Sequence, residues 1–287
     1  MNRNSIIERT APSPTGHLHL GHVFSALTAF QHSQKFSGLF KLRIEDIDYS
    51  RCKKEFELQI IDDLIWLGFK WNGQILKQNN RKKYYTLALN ELSRQGLIYP
   101  CSCTRSDIHN ATSAPHKIQN KKSFYPGTCL QKPPYGGIVA LRLNIKKAFQ
   151  TIERSQFHFY ESGMSTRNLP EKKVIDKDKL INTFGDFVIA RKDIGTSYNL
   201  SAVIDDSEQQ ITHVTRGRDL LDITPIQILL QKLLGIKSPF YHHHQLLCDA
   251  FGKRLAKRTN SLSVYTLRKN GSSPADVIEM ALNHTKI

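Results

Sequence analysis

A chain of 287 residues with 39% hydrophobic side chains has room for one substantial core, or for a core with a small inserted module. Its 41 lysines and arginines against 25 acids leave a net charge of +16, which points to a polyanionic partner; a merely solubilising basic surface is the plainer alternative. The sequence has no charged-then-apolar leader, no apolar run able to span a bilayer and five unevenly placed cysteines, so a cytoplasmic protein with no membrane partner and no disulfide framework is expected.

The first strand is expected at Ile6-Ile7-Glu8-Arg9, feeding a Pro-rich loop. A helix over about 19–34 and a strand over 38–44 follow, the strand ending in Glu45, Asp46 and Asp48. A helix with Phe56, Ile60, Ile61, Leu64 and Leu67 on one face closes at Gly68, and another over about 81–95 closes at Gly96. This alternation predicts an α/β fold built on a doubly wound parallel sheet. The pattern breaks over 99–179, an inserted module with one clear strand at 138–143 and a polar surface loop at 163–175. Strands are expected again at 186–190 and 200–204, the latter followed by Asp205-Asp206. A helix carrying Ile226, Leu229, Leu230 and Leu233 ends at Gly235, and His242-His243-His244 reads as strand and turn. Ser273-Pro274-Ala275-Asp276 starts a capped C-terminal helix.

The most informative stretch is Ala11-Pro12-Ser13-Pro14-Thr15-Gly16-His17-Leu18-His19-Leu20-Gly21-His22. Leu20, Val23, Phe24, Leu27 and Phe30 recur at helical spacing, which puts His19 and His22 in a helix's first turn. Unpaired N–H groups and the positive end of the helix dipole make that turn a phosphate site. Gly21, having no Cβ, would let a ring or a phosphate approach the backbone. Neither a Gly-x-x-x-x-Gly-Lys-Ser/Thr loop nor a Gly-x-Gly-x-x-Gly fingerprint occurs. A second cationic element stands late in the chain, Gly252-Lys253-Arg254-Leu255-Ala256-Lys257-Arg258. Between the two, Cys101, Cys103 and Cys129 give three thiols, one short of a structural zinc site. By chemistry alone His109 or His116 is the more ordinary fourth ligand, because a phenol is usually protonated.

His19-Leu20-Gly21-His22 and Arg254-Leu255-Ala256-Lys257-Arg258 resemble the two signature motifs of class I aminoacyl-tRNA synthetases. Residues 9–16 and 43–48, Tyr198-Asn199-Leu200 and Arg216-Gly217-Arg218-Asp219-Leu220-Leu221 are similar to glutamyl-tRNA synthetase catalytic domains. Only some 30 residues follow Arg258, where those enzymes continue into a helical anticodon-binding region. In this the chain is similar to the truncated paralogues, the glutamyl-queuosine tRNA(Asp) synthetases. Cys101-Ser102-Cys103 with Tyr125-Pro126-Gly127-Thr128-Cys129 is similar to their zinc motif of three cysteines and a tyrosine.

The resemblance implies a Rossmann-like class I synthetase catalytic domain in two halves, 1–98 and 180–240, around a zinc-containing insert at 99–179. Residues 241–287 would hold the basic loop and a short helical C-terminal segment. It implies ATP-dependent activation of L-glutamate without tRNA, then transfer to queuosine-34 of tRNA(Asp). Pro12, His19, Gly21, His22, Arg254 and Lys257 would bind ATP, with His19, His22 and Lys257 catalytic. Arg9, Ser13, Glu45, Tyr198 and Arg216 would hold glutamate. One structural Zn²⁺ on Cys101, Cys103, Tyr125 and Cys129, Mg²⁺ arriving with ATP, and a monomer are the remaining expectations. Two positions depart from the family pattern: Arg254 stands for the usual lysine, and Ala256 for a serine whose hydroxyl is worth ~1 kcal/mol. The alternatives are a shortened glutamyl-tRNA synthetase charging a tRNA 3′ end, and a non-catalytic tRNA-binding relic.

Overall fold

The structure is a computed structural model, and it describes residues 6–104, 106–108, 124–152, 157–163, 169–248, 263–283 and 285–286. In chain order, β1 (Ile7–Thr10) leads to α1 (Leu20–Lys35), β2 (Leu39–Ile44), α2 (Lys54–Trp66) and β3 (Leu76–Lys77). Then come α3 (Lys82–Arg94), β4 (Ile98–Cys101), α4 (Thr128–Gln131), β5 (Ala140–Leu143) and α5 (Ile145–Thr151). Next are β6 (His158–Glu161), β7 (Glu171–Val174), α6 (Lys177–Phe184), β8 (Val188–Ala190) and α7 (Tyr198–Glu208). The chain continues through β9 (His213–Gly217), α8 (Thr224–Leu233), β10 (Phe240–His244) and β11 (Leu247–Cys248). It closes with α9 (Val264–Lys269), α10 (Pro274–Asn283) and β12 (Thr285–Lys286).

Two parallel arrays meet at the centre. One runs β1–β2–β3, the other β9–β10–β6, with β7 added antiparallel at its far edge. They abut where β1 lies beside β9. Thr212 donates its N–H to the Ile7 carbonyl (3.0 Å), and Ile7 donates its own to the Thr212 hydroxyl (2.8 Å). Strand order therefore reverses between β1 and β9, and ligands of such sheets bind outside the strand C-termini at that reversal.

Helices cover both faces. One core gathers Val23, Leu27, Phe40, Leu42, Ile60 and Leu64 from α1, β2 and α2 with Val264 and Val277 from the C-terminal helices. The other gathers Tyr85, Leu92, Leu200, Val203, Leu229 and Tyr241 from α3, α7, α8 and β10. The helical spacing that identified α1 buries Leu20 and Val23 completely, and Leu20→Ala would cost about 2–5 kcal/mol. Gly68 ends α2 and Gly96 ends α3, each at a positive φ, as their positions past the last apolar residue predicted.

Two expectations are corrected. Residues 200–204 are not a strand but part of α7. The Ser197 hydroxyl caps its first turn, and the helix lets Asp205 and Asp206 reach different arginines, which outweighs the β-branched pair Val203-Ile204. Within 163–175, Glu171–Val174 is a strand paired with β6, its Lys and Glu side chains suiting a sheet edge. Of the stretch read as an insert, β6 and β7 join the central sheet, while β4, β5 and the later β8 form a separate antiparallel sheet.

Candidate active site

A cavity of about 390 Å³ opens at the strand reversal. Arg9, Pro12, His19, Gly21, His22, Glu45, Tyr198 and Arg216 all line it, and these are residues expected from sequence. Ser13 is not among the lining residues; its carbonyl accepts the Thr15 N–H at 2.8 Å. Arg254 and Lys257 lie outside the described residues. Of the described residues on either side of that segment, Leu247 lines the cavity and Ser263 bridges to His19.

His19 is the N-cap of α1, a role usually filled by Ser, Thr, Asp or Asn. Its Nδ1 accepts the Gly21 N–H (3.1 Å), while His22 Nδ1 accepts the His19 N–H (3.2 Å). The rings lie 3.8 Å apart between centroids. A nitrogen that accepts a hydrogen bond carries no proton, so both imidazoles keep theirs on Nε2 as donors. A Cβ on Gly21 would stand 2.9 Å from His19 Cε1. The glycine thus makes room for the histidine ring, and it also lines the cavity that sequence reasoning expected it to open to a ligand.

Beside this pair sits a buried cluster of charge. Asp206 accepts from Arg9 Nε (3.0 Å) and Arg43 Nη1 (2.6 Å), and Arg43 Nη2 reaches Glu45 (3.1 Å). Burial pushes the Asp206 carboxyl up, but the two guanidinium groups outweigh it and hold it below its ordinary value. Burial wins at Glu45, which stays above its ordinary value despite Arg43 and Arg9. Burial also raises the Tyr198 phenol, with Glu45 adding to the effect. Glu45 is thus an under-neutralised carboxylate facing a cavity, suited to an incoming ammonium.

Arg216 is held differently. Its Nε, Nη1 and Nη2 donate to His243 Nε2 (3.0 Å), Gln227 Oε1 (2.9 Å) and the Thr224 hydroxyl (2.9 Å). These acceptors are neutral, and among the described residues no carboxylate is paired with it. Such an arginine keeps its charge for a ligand carboxylate. Arg43, Asp206 and His243 were not selected from sequence: Arg43 and Asp206 lie 163 positions apart, and His242-His243-His244 signalled only strand and turn.

A second cluster lies where β4 ends. Cys101, Cys103 and Cys129 bring their sulfurs within 4.8 Å of one another. The Tyr125 hydroxyl is 3.4 Å from Cys101 Sγ and 3.5 Å from Cys103 Sγ, while accepting the Cys129 N–H (2.8 Å). Burial pushes the Cys129 thiol up, but hydrogen bonds with Tyr125 and Cys103 bring it down to about 6. Arg142 donates to Cys101 Sγ (3.1 Å) and stacks over the Tyr125 ring, 3.6 Å from its centroid. Burial raises the Cys103 thiol to about 11, so within the Cys103–Cys129 pair Cys129 carries the acidified sulfur. Three converging sulfurs with a cation at their back fit a soft, tetrahedral metal ion. His109 and His116 lie outside the described residues.

Residues 5–283 match the family of class I tRNA synthetases (E and Q), catalytic domain. The chain belongs to that family. It is a ligase of the aminoacyl-tRNA synthetase type. It is 45% identical over 280 residues to the glutamyl-Q tRNA(Asp) synthetase of Rhodobacter capsulatus, covering 95% of this chain and 98% of that one. Its identity to the enzyme of the same name from Symbiobacterium thermophilum is 36%, over 94% and 83% of the two chains. The fold is similar to glutamate-tRNA synthetase from Elizabethkingia anophelis, with a TM-score of 0.69 at 23% identity. That likeness covers 94% of this chain and 54% of the solved one, so the chain spans about half the length of that structure. Among the described residues, no helix of this synthetase-family chain is long and apolar enough to cross a membrane.

Proposed function

We propose that this chain activates L-glutamate with ATP in the absence of tRNA and transfers the glutamyl group to queuosine-34 of tRNA(Asp). One observation carries the reading: His19, His22, Glu45 and Arg216 all face one cavity at the strand reversal. The identity to relatives called glutamyl-Q tRNA(Asp) synthetase supports the choice of acceptor.

In the first step a carboxylate oxygen of glutamate attacks the α-phosphorus of ATP, and pyrophosphate leaves with the electrons of the broken P–O bond. ATP enters with its Mg²⁺ as the substrate complex. The protein's task is placement and charge stabilisation. The Nε2–H groups of His19 and His22 donate to phosphate oxygens as charge builds on them, and Pro12 and Gly21 shape the wall. Lys257 neutralises the departing pyrophosphate and Arg254 adds charge to the same motif; Leu247 at the cavity and Ser263 bridged to His19 support this assignment. Glu45 takes the glutamate ammonium. Arg216 and Arg9 serve its carboxylates, Tyr198 supplies a hydroxyl, and Ser13 lies on the same entry loop. In the second step a nucleophile of queuosine attacks the glutamyl carbonyl and AMP leaves.

Cys101, Cys103, Cys129 and Tyr125 would hold one Zn²⁺, which supplies a structural crosslink and no step of the reaction. The module it supports is then the β4–β5–β8 sheet and the turns beside it.

ATP–pyrophosphate exchange with glutamate and no tRNA tests the first step. Transfer of labelled glutamate to queuosine-containing tRNA(Asp), with queuosine-free tRNA(Asp) and tRNA(Glu) alongside, tests the second. Equal transfer to both forms of tRNA(Asp), or charging of a 3′ end alone, would reject the acceptor.

A further inference from the structure

Behind Arg216 stands a buried relay that the reaction above does not use. Glu161 is 1% exposed and His243 is fully buried. Glu161 Oε1 accepts the backbone N–H of His243 (2.9 Å) and of Gly163 (2.7 Å), while Oε2 faces His243 Nδ1 in a short contact. On the ring's other side, His243 Nε2 meets Arg216 Nε at 3.0 Å, with the Thr224 hydroxyl 3.1 Å away. The backbone just past the end of β6 is pressed against β10 here. A Cβ on Gly163 would fall 2.4 Å from the His243 carbonyl oxygen, so only glycine fits.

The neighbours fix the proton. An ionised carboxylate only accepts and a guanidinium only donates, so Nδ1 carries the hydrogen and Nε2 offers its lone pair. Burial pushes His243 below its ordinary value even beside Glu161, in keeping with a neutral ring. The arrangement is carboxylate, neutral imidazole, guanidinium. It anchors Arg216 while keeping Glu161 one ring's width away, so the carboxylate does not neutralise the arginine by direct contact. Arg9 is the contrast, since Asp206 contacts it directly, although Arg9 shares that one carboxylate with Arg43 and so is neutralised only in part.

We infer that His243, oriented by Glu161, is a positioning residue for amino-acid recognition: it holds the Arg216 guanidinium for capture of a substrate carboxylate. The inference deepens the glutamate-activating reading and rests on it. Direct replacement of the relay by an ion pair would orient the arginine equally well but spend its charge.

Two near-isosteric variants separate positioning from packing. In His243→Gln the carboxamide oxygen takes the place of Nε2 and still accepts from Arg216. In His243→Asn the amide stays near Glu161 and stops short of Arg216. Glutamate-dependent ATP–pyrophosphate exchange should give H243Q a KM for glutamate within about threefold of the unmodified enzyme. For H243N it should rise about 10- to 100-fold, the scale of a lost hydrogen bond to a charged group, with the KM for ATP unchanged in both. An unmoved glutamate KM in H243N, or equal losses of kcat and thermal stability in both variants without a KM difference, would overturn the inference. If H243N does not fold, long-range ¹H–¹⁵N spectra of the unmodified, histidine-labelled enzyme decide. A proton on Nδ1 alone is expected, and an Nε2–H or a doubly protonated ring at neutral pH would overturn it. Should the unmodified enzyme show no glutamate-dependent exchange, the substrate assignment fails, while the spectra still decide the relay.

Discussion

Each imidazole of the His19–His22 pair is held through Nδ1 by a backbone N–H of the same helix turn, His22 by that of His19 itself at 3.2 Å. The helix cap and the outward donors are thus one device. Asparagine caps helices well, so His19→Asn should leave thermal stability within about 0.5 kcal/mol while removing the Nε2–H. Loss of one transition-state donor predicts a fall of about 10²–10³ in kcat for pyrophosphate exchange, read by steady-state kinetics beside a melting curve.

Gly21→Ala should likewise separate stability from activity. Alanine is better in a helix by up to about 1 kcal/mol. Its methyl would stand 2.9 Å from His19 Cε1 and turn the ring from its cap. The helix gain offsets the lost cap, so a variant within about 1 kcal/mol of the unmodified protein, with exchange at least about tenfold slower, is expected.

Glutamate binding should weaken in acid. Glu45 titrates above its ordinary 4.5 because burial outweighs Arg43 and Arg9. Only its carboxylate form attracts the substrate ammonium, so the KM for glutamate should climb as pH falls through that raised value and flatten above it. Glu45→Gln should abolish the inflection and raise the KM about 10- to 100-fold at neutral pH. Linkage gives the stability sign. A carboxyl raised on folding adds stability in acid that is lost as pH rises, so Glu45→Gln should not destabilise the unliganded protein at neutral pH. Asp206 is lowered on folding, and its contribution is present above 3.8 and lost on acidification. Asp206→Asn should cost about 3 kcal/mol at neutral pH, measured by urea unfolding.

Metal analysis of the purified protein should find one zinc per chain. Cys129→Ser and Tyr125→Phe should lower that occupancy and loosen hydrogen-exchange protection in the β4–β5–β8 sheet. His109→Ala and His116→Ala should leave it intact. Full occupancy in Tyr125→Phe with loss in a histidine variant would move the fourth ligand to that histidine.

Ala256→Ser restores a hydroxyl to the basic segment and should speed exchange several-fold, about the worth of one hydrogen bond. Lys257→Met should slow it about 10²-fold or more with little change in the KM for glutamate. Both are read in the same exchange assay.

What could be read from the chain follows from how local each signal is. The helix of His19 and His22 announces itself by apolar spacing and a turn-rich approach, and α3 and α8 end at glycines where expected. Local signals failed at α7, where Val203-Ile204 looked like strand and only the capping serine and the remote arginines decided for helix. They failed at β7, whose Glu-Lys-Lys-Val is polar because it lies at a sheet edge. The site residues with short motifs were legible. Arg43 and His243 were not, since Asp206 and Glu161, which give them meaning, lie 163 and 82 positions away.

Neighbouring carboxylates on α7 face in different directions. Asp205 takes Gln78, Arg81 and Tyr85, while Asp206 takes Arg9 and Arg43. Successive helical residues project about 100° apart, so the two grips are offset by a single step of the spiral. Inserting or deleting one residue between Ser197 and Asp205 would rotate both acids off their arginines together. Evolution can repaint the outward side of this rod freely, but it cannot change the rod's phase.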